Sequence, residues 1–262
     1  MHKRAAVLGS PISHSLSPIL HRAAYAALAL DWSYDAIEMT PEHMREFLNA
    51  LDDTWVGLSL TMPLKESVQP MLSGIDTVAS RTRSVNTIYR GDSGWCGANT
   101  DVFGISRSLL EAGLHGARTA RLLGAGATAR SAIAAMSDLG IESVVVCARR
   151  HEAAADIVNL AETFGIEALA STLAPVAVSE DLLVSVLPGD VAAPWAHGQI
   201  SERSALLDAS YHPWPSELAA AWPGAVVASG RDMLLWQATE QVSLMTGQPA
   251  PVDAMRAALE QI

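Results

Sequence analysis

Short apolar runs alternate with amphipathic segments along the chain, a pattern typical of an α/β protein. In the first part of the chain, the runs at 5–8, 32–39 and 55–60 predict strands, and the segments 18–28 and 41–51 predict helices between them. This alternation predicts a parallel sheet, because two parallel strands need a crossover connection.

The rest of the chain continues the alternation, with one interruption. Segments 84–89 and 95–98 predict a β-hairpin across the turn at 90–94, and helices are predicted on either side at 74–81 and 101–110. The remaining elements are predicted as strands at 120–123, 144–146, 166–169, 181–187, 205–208 and 225–228, an alanine-rich helix ending near Gly140, and helices at 151–164, 230–246 and 252–259.

The segment from Thr119 to Arg150 indicates a dinucleotide site. It has the order strand, glycine turn, helix and strand, and the turn has the pattern Gly124-x-Gly126-x-x-Ala129. The first glycine allows a tight turn, the second lets a pyrophosphate approach the backbone, and the small third residue lets the helix pack closely on the strand. The N–H groups at the helix N-terminus suit phosphates. This segment therefore predicts a Rossmann-type domain.

The turn after the second strand of this unit indicates which cofactor is bound. An NAD site carries Asp or Glu about 20 residues beyond the glycines, but this chain has Ala148-Arg149-Arg150. Two guanidinium groups suit a 2′-phosphate, which they bind through charge-assisted hydrogen bonds. The prediction is NADP(H), and the alternative is an ordinary β-α-β unit whose arginines only face solvent.

The order of elements predicts two domains. An N-terminal parallel-sheet α/β domain for the substrate spans 1–100 together with 232–262, so that the C-terminal helices fold back across it. The NADP-binding Rossmann domain spans 101–231. At 262 residues, the chain is long enough for both.

Composition narrows the classes of function. Half of the residues are apolar and 17% are charged, which indicates a globular protein. The net charge of −11, without long runs of either sign, argues against nucleic acid and anionic membranes as partners. Two cysteines and no apolar run of membrane-spanning length favour a cytoplasmic protein without disulfides. No Cys or His spacing suits a metal, so none is expected.

Several polar residues are candidates for a small-molecule site. Ser15 and Ser17 present hydroxyls on one side of an extended segment, although Ser17 is equally suited to cap the helix that Pro18 begins. Lys65 follows a strand of the parallel sheet, where such sheets bind ligands, although most lysines are merely solvated. Asn86 in an apolar strand needs a partner, and Asn99-Thr100-Asp101 alone would be a helix cap.

Seven motifs follow one another along nearly the whole chain, at Gly9–Pro18, Leu60–Lys65, Ser84–Thr87, Asn99–Asp101, Gly124–Arg130, Tyr211–Pro213 and Gly230–Gln237. Together, in this order and spacing, they are far more specific than any one alone. They resemble the motifs of the shikimate dehydrogenase family, NADP-linked enzymes of the aromatic amino-acid pathway.

The resemblance implies NADP-dependent reduction of 3-dehydroshikimate to shikimate, with Lys65 and Asp101 as the catalytic pair. The residues that it implies for the substrate are Ser15, Ser17, Thr61, Lys65, Asn86, Asp101 and Gln237, with Tyr211 nearby. Those for the cofactor are Gly124, Ala125, Gly126, Ala127, Thr128, Ala129, Ala148, Arg149, Arg150, Leu187 and Gly230. A monomer or a homodimer is expected.

The chain departs from the family at three places. Ser59-Leu60-Thr61-Met62-Pro63 stands where the family usually has Asn-Val-Thr-Val-Pro, Ala127 replaces a second consecutive glycine, and 148–150 replace Asn-Arg-Thr. The alternatives are an NAD-dependent quinate/shikimate dehydrogenase, a methylenetetrahydrofolate dehydrogenase and a non-catalytic dinucleotide-binding protein. Arg149 and Arg150 argue against the first alternative. The serine turn, which contains Ser15 and Ser17, argues against the bulky ligand of the second.

Overall fold

The computed structural model describes residues 2–262. The chain divides into two compact units, one formed by Met1–Thr100 with Leu234–Ile262 and the other by Asp101–Met233. The second boundary lies inside the helix Gly230–Thr246, which therefore contributes residues to each unit.

The N-terminal part of the first unit begins with alternating strands and helices. Its last two strands form a β-hairpin. Its elements are β1 (Lys3–Gly9), α1 (Ser17–Ala27), β2 (Trp32–Glu38), α2 (Pro41–Ala50), β3 (Trp55–Leu60), β4 (Gly74–Ile75), α3 (Thr77–Thr82), β5 (Thr87–Gly91) and β6 (Gly94–Ala98). The strands form one sheet in the order β2-β1-β3-β5-β6-β4.

The parallel part of this sheet is confirmed, and the hairpin extends it with antiparallel strands. β1 pairs in parallel with both β2 and β3. β5 pairs antiparallel with β3 and with β6, and β4 runs parallel to β6. The loops after β1 and β3 therefore lie at the same edge of the sheet, which is where parallel sheets bind their ligands.

The helix predicted over 74–81 is wrong at its start. Gly74 and Ile75 pair with β6 as the short strand β4. Asp76 then caps α3, because its side chain accepts a hydrogen bond from Ala79 N. An Asp side chain that satisfies a free N–H group favours a helix start immediately after it.

The second unit alternates helices with parallel strands. Its elements are α4 (Asp101–Glu111), β7 (Thr119–Leu123), α5 (Ala127–Asp138), β8 (Ser143–Ala148), α6 (His151–Thr163), β9 (Glu167–Thr172), β10 (Leu182–Ser185), α7 (Gly189–Ala192), β11 (Ala205–Asp208), α8 (Glu217–Ala220) and β12 (Val227–Ser229). The short helices α7 and α8 were not predicted from the sequence.

The strand order β12-β11-β10-β7-β8-β9, all parallel, confirms the predicted Rossmann-type architecture. In this arrangement the order reverses beside β7, and nucleotides bind outside the carboxyl end of that strand. The strands β7, β8, β10 and β11 are apolar along most of their length, because side chains on both faces are covered, whereas the edge strand β9 is mostly exposed.

Two helices complete the chain, α9 (Gly230–Thr246) and α10 (Val252–Leu259), with the bounds predicted from the sequence. The part of α9 in the first unit packs Leu235, Ala238, Val242 and Met245 into the core that covers one face of the first sheet. Gly57 of β3 leaves space for this helix, since a Cβ there would lie 2.5 Å from Met245 Cγ.

Within residues 2–262, none of the helices combines the length and apolar character that a membrane span requires. The same residues contain no cluster of three or more His, Cys, Asp or Glu side chains that could hold a metal ion.

A histidine lies in the core of the first unit. His21 of α1 is fully buried, stacks on Tyr34 with ring centroids 4.0 Å apart, and places Nε2 3.1 Å from Gln241 Oε1. Burial lowers the pKa of His21 from 6.5 to about 4, although the hydrogen bond with Gln241 acts in the opposite direction. Burial also raises the pKa of the neighbouring Tyr25 and Tyr34, so this cluster is neutral at pH 7.

The buried His21 predicts acid sensitivity. Between pH 6.5 and about 4, the unfolded chain binds a proton at this residue and the folded chain does not, so the free energy of unfolding falls as the pH falls, by about 3 kcal/mol in total. We expect the difference in this free energy between the parent and His21→Gln to shrink by about that amount from pH 7 to pH 4. Urea denaturation at several pH values measures it, and a constant difference would contradict the prediction.

Candidate active site

The loop after β1 is held against the loop after β3. Ser10 N donates to Met62 O at 2.9 Å, and Thr61 N donates to Leu8 O at 2.9 Å. A Cβ on Gly9 would lie 2.3 Å from Thr61 Cγ2 and 2.8 Å from Met62 O, so only glycine fits at this position. The serine turn and Thr61 therefore occupy adjoining loops at one edge of the sheet.

Glu38 at the end of β2 anchors the serine turn. Its carboxylate accepts hydrogen bonds from Ser10 Oγ at 2.5 Å and from Ile12 N at 3.2 Å. Glu38 is not among the residues predicted for the site from the sequence. The available signal was that β1 and β2 are parallel neighbours, which places Glu38 opposite Gly9.

The two serines of this turn lie close together, but Ser17 is not the helix cap. α1 begins at Ser17, and the N-cap position belongs to Leu16, whose side chain caps nothing. Ser15 Oγ instead accepts a hydrogen bond from Ser17 N at 3.4 Å. Pro18 still lies in the first turn, as expected. The capping interpretation of Ser17 is wrong because the helix starts one residue earlier than the sequence suggests.

Lys65 follows the end of β3 and is half-buried. Its carbonyl oxygen accepts a hydrogen bond from Val85 N at 2.8 Å, which ties the lysine segment to the chain that leads into β5. Lys65 belongs to the first unit, and Asp101, its expected partner in catalysis, belongs to the second.

Asn86 lies immediately before β5 rather than inside a strand, and its side chain is buried. Its Oδ1 accepts hydrogen bonds from Thr87 Oγ1 and from Thr100 N, both at 2.8 Å. Its Nδ2 donates to Thr100 Oγ1 at 2.9 Å and to Gln237 Oε1 at 3.4 Å. The structure thus brings together Asn86 and Gln237, two of the expected substrate residues, from positions far apart in the sequence.

Gln237 is itself held in place by α9. Its Nε2 donates to Leu234 O at 2.8 Å, which leaves Oε1 directed toward Asn86. Both carboxamides are buried, with exposed fractions of 1% for Asn86 and 6% for Gln237. Buried amides paired in this way keep one orientation, because turning either would leave a polar atom unsatisfied.

In the second unit, Asp101 is buried at the first position of α4. A carboxylate at a helix N-terminus is stabilised by the helix dipole and by the free N–H groups of the first turn. The structure therefore supports the position that the sequence assigned to it at the start of a helix.

Tyr211 lies in the loop after β11, where burial raises its pKa. Asp208 at the end of β11 organises this loop, since its carboxylate accepts hydrogen bonds from Ser210 N at 3.0 Å and from Ser216 Oγ at 2.5 Å. Burial raises the pKa of Asp208 despite these hydrogen bonds. Asp208 is not among the residues predicted from the sequence, although an aspartate at the end of an apolar strand is a usable signal.

The glycine turn of the second unit lies between β7 and α5. Gly124 has φ +114°, a conformation that favours glycine, and a Cβ there would lie 2.8 Å from Val186 Cγ2 and 3.3 Å from Leu187 Cδ2. Gly126 precedes the first residue of α5 and is exposed, and a Cβ there would meet no atom within 4 Å. The two glycines thus differ, since the first is required by packing and the second faces open space.

The remaining residues of the turn follow the expected arrangement. Ala127 and Thr128 form the first turn of α5 and are half-buried, whereas Ala129 is fully buried against the sheet. Ala125, between the two glycines, packs against the apolar core of the unit.

The basic turn lies at the end of β8. Ala148 is buried as the last residue of the strand, and Arg149 and Arg150 are both exposed before α6 begins at His151.

Gly230 has a packing role of its own, because a Cβ there would lie 2.2 Å from Ala209 O.

Family models match both ends of the chain. The model for the shikimate dehydrogenase substrate binding domain matches residues 7–88, and the model for the shikimate 5′-dehydrogenase C-terminal domain matches residues 230–260. The chain is 36% identical over 265 residues to the shikimate dehydrogenase (NADP(+)) of Anaeromyxobacter dehalogenans, which covers 97% of this chain and 94% of that protein.

Solved structures show the same similarity over the full length. The shikimate 5-dehydrogenase of Mycobacterium fortuitum is 39% identical, with a TM-score of 0.87 and 98% of each chain covered. The shikimate 5-dehydrogenase of Thermus thermophilus, in complex with NADP(H) and shikimate, is 29% identical, with a TM-score of 0.84 and 99% of each chain covered. Identity at this level over almost the entire length of these proteins establishes that the chain belongs to the shikimate dehydrogenase family.

Proposed function

We propose that this chain catalyses the reversible, NADP-dependent reduction of 3-dehydroshikimate to shikimate. The observation that carries the proposal is the carboxyl edge of the second sheet, where open space at Gly126 lies before α5 and two exposed arginines follow β8. The second unit binds NADP, and the first unit binds shikimate.

The residues of the second unit fit NADP. Open space in front of a helix N-terminus suits a pyrophosphate, which the N–H groups of the first turn of α5 bind. Arg149 and Arg150 suit the 2′-phosphate because a guanidinium binds phosphate through two hydrogen bonds at once. Leu187 packs beside Gly124 and fixes the wall of the turn. When bound, the reduced cofactor supplies the hydride.

The polar groups of the first unit fit a small polyol acid. Ser15 and Thr61 lie in the loops at the carboxyl edge of the parallel strands, Ser17 begins α1, and the amides of Asn86 and Gln237 lie in the same unit. Hydroxyls and amides both donate and accept hydrogen bonds, as the hydroxyl groups of shikimate require. Tyr211 of the second unit is the further candidate.

Lys65 and Asp101 are the catalytic residues in this proposal. Reduction of a ketone places negative charge on the carbonyl oxygen, which an ammonium group stabilises and then protonates. Asp101 is assigned the carboxylate of the catalytic pair in this proposal.

A single assay decides between this activity and its alternatives. Shikimate and quinate are each tested with NADP and with NAD. Oxidation of shikimate with NADP at the highest kcat/KM supports the proposal. A preference for NAD indicates the quinate/shikimate alternative. Cofactor binding without turnover of either substrate indicates a methylenetetrahydrofolate dehydrogenase or a non-catalytic dinucleotide-binding protein.

The two glycines of the turn predict separable effects. Gly126→Ala should weaken NADP binding at least about tenfold by filling the space of the pyrophosphate, while the melting temperature stays near that of the parent. Gly124→Ala should lower the melting temperature, because of its positive φ and the contact with Val186. Calorimetric titration and thermal denaturation measure these effects. Unchanged NADP affinity in Gly126→Ala would place the phosphates elsewhere.

Cofactor selectivity is expected to depend on the basic turn. Arg149→Ala should raise KM for NADP by about ten- to a hundredfold, since a charge-assisted hydrogen bond contributes about 1.5–3 kcal/mol, and should alter KM for NAD little. Arg118→Ala is the matched control, because Arg118 is exposed before β7 and pairs with Glu142. An equal loss with both cofactors would show that the turn does not bind the 2′-phosphate.

Removal of the Lys65 charge should abolish most of the turnover. Lys65→Met keeps the aliphatic stem and is expected to lower kcat by about 10²–10⁴, with NADP affinity and melting temperature near those of the parent. Lys3→Met is the control, since Lys3 Nζ bonds only to Asp53 O among the described contacts. A Lys65→Met variant that retains more than about a tenth of the parental kcat would exclude the proposed role.

A further inference from the structure

Next to Asn86, the first unit contains a hydrogen-bonded network of buried polar side chains from four different elements. It runs from His21 of α1 and Ser59 of β3 to Gln241 of α9, and then to Thr87 of β5. All four have exposed fractions of 3% or less. None of them belongs to the residues expected to contact substrate or cofactor.

The hydrogen bonds of this network have a fixed direction, because the network begins at a donor, the hydroxyl of Tyr34. The Tyr34 hydroxyl donates to Ser59 Oγ at 2.6 Å, so Ser59 donates its own proton to Gln241 Oε1, also at 2.6 Å. Gln241 Oε1 is thereby an acceptor, and neutral His21 carries its proton on Nε2 to donate to it at 3.1 Å. If the amide of Gln241 turned around, its NH₂ group would face two other donors, Ser59 Oγ and His21 Nε2.

The same direction continues to Asn86. Gln241 Nε2 donates to Thr87 Oγ1 at 3.0 Å and to Asn86 O at 3.3 Å. Thr87 Oγ1, which accepts from Gln241, donates its proton to Asn86 Oδ1 at 2.8 Å. Asn86 Oδ1, which also accepts from Thr100 N at 2.8 Å, is therefore fixed as the acceptor, and its NH₂ group is fixed on the side of Gln237.

We propose that Thr87 and Gln241 are positioning residues for substrate binding, which act by fixing the orientation of the Asn86 carboxamide. The inference rests on the proposed function, in which Asn86 binds shikimate. A carboxamide that presents the wrong end offers an acceptor where the substrate needs a donor. Binding energy then falls although every contacting side chain is still present.

Thr87 is the link to test, because it can be replaced without a change of shape. Thr87→Val removes the hydroxyl and keeps the volume. Thr87→Ser keeps the hydroxyl and loses only a methyl group. Loss of one oriented hydrogen bond in Thr87→Val should raise KM for shikimate about five- to tenfold, with kcat changed less than KM and KM for NADP unchanged. Thr87→Ser should restore KM for shikimate to within about twofold of the parent.

A merely structural role for Thr87 predicts different results. It would lower the melting temperature of Thr87→Val without a selective change in KM for shikimate. It would also make Thr87→Ser, which loses packing, at least as impaired as Thr87→Val. Either result overturns the proposal.

A double-mutant cycle separates this inference from the proposed function. Asn86→Ala should raise KM for shikimate, and Thr87→Val in that background should raise it no further, because the two residues act through one group. An additive rise overturns the positioning role alone. No change in Asn86→Ala shows that Asn86 does not bind shikimate, and both the site assignment and this inference then fail.

Discussion

The organisation of the first unit depends on two buried carboxamides of α9, each of which needs hydrogen-bond partners on other elements. Gln237 and Gln241 both lie on this helix and are buried. A buried amide without partners costs about 1–3 kcal/mol per unsatisfied group. The helix can therefore pack on the sheet only where α1, β3 and β5 offer matching polar atoms. Those atoms are present at His21, Ser59 and Thr87, so that apolar packing and polar pairing select the same position of α9.

The close approaches of the backbone impose a second set of constraints. Gly9, Gly124 and Gly230 each lie where a Cβ would meet another atom at less than 3 Å, so each of these glycines has a packing reason. Gly126 has none, because the space beside it is open. A motif lists these glycines as equivalents, and only the structure separates the glycine beside open space from those that leave room for other parts of the protein.

Much of this fold could be predicted from the sequence, because its signals are local. The bounds of α9, α10 and β11 follow from helix caps and apolar runs, and the glycine turn is read from its spacing. Features that depend on contacts distant in sequence could not be predicted. β4 forms only because β6 offers it an edge. The partner of His21 lies 220 residues away, so no periodicity in either segment points to the other.

The arginines of the second unit show why candidate residues need their surroundings. Arg121 and Arg149 are equally basic in the sequence, and each lies in or directly after a strand of the parallel sheet. Arg121 is buried and donates to Glu180 at 2.5 Å. Burial raises the pKa of Glu180, but the hydrogen bond and the charge of Arg121, together with backbone hydrogen bonds, keep that pKa below its usual value. This arginine is committed to a carboxylate of its own chain, because a buried cation needs a partner. Arg149 is exposed at the carboxyl edge of the sheet. Although the chain has a net charge of −11, an exposed cation at this edge attracts anionic groups such as phosphate locally.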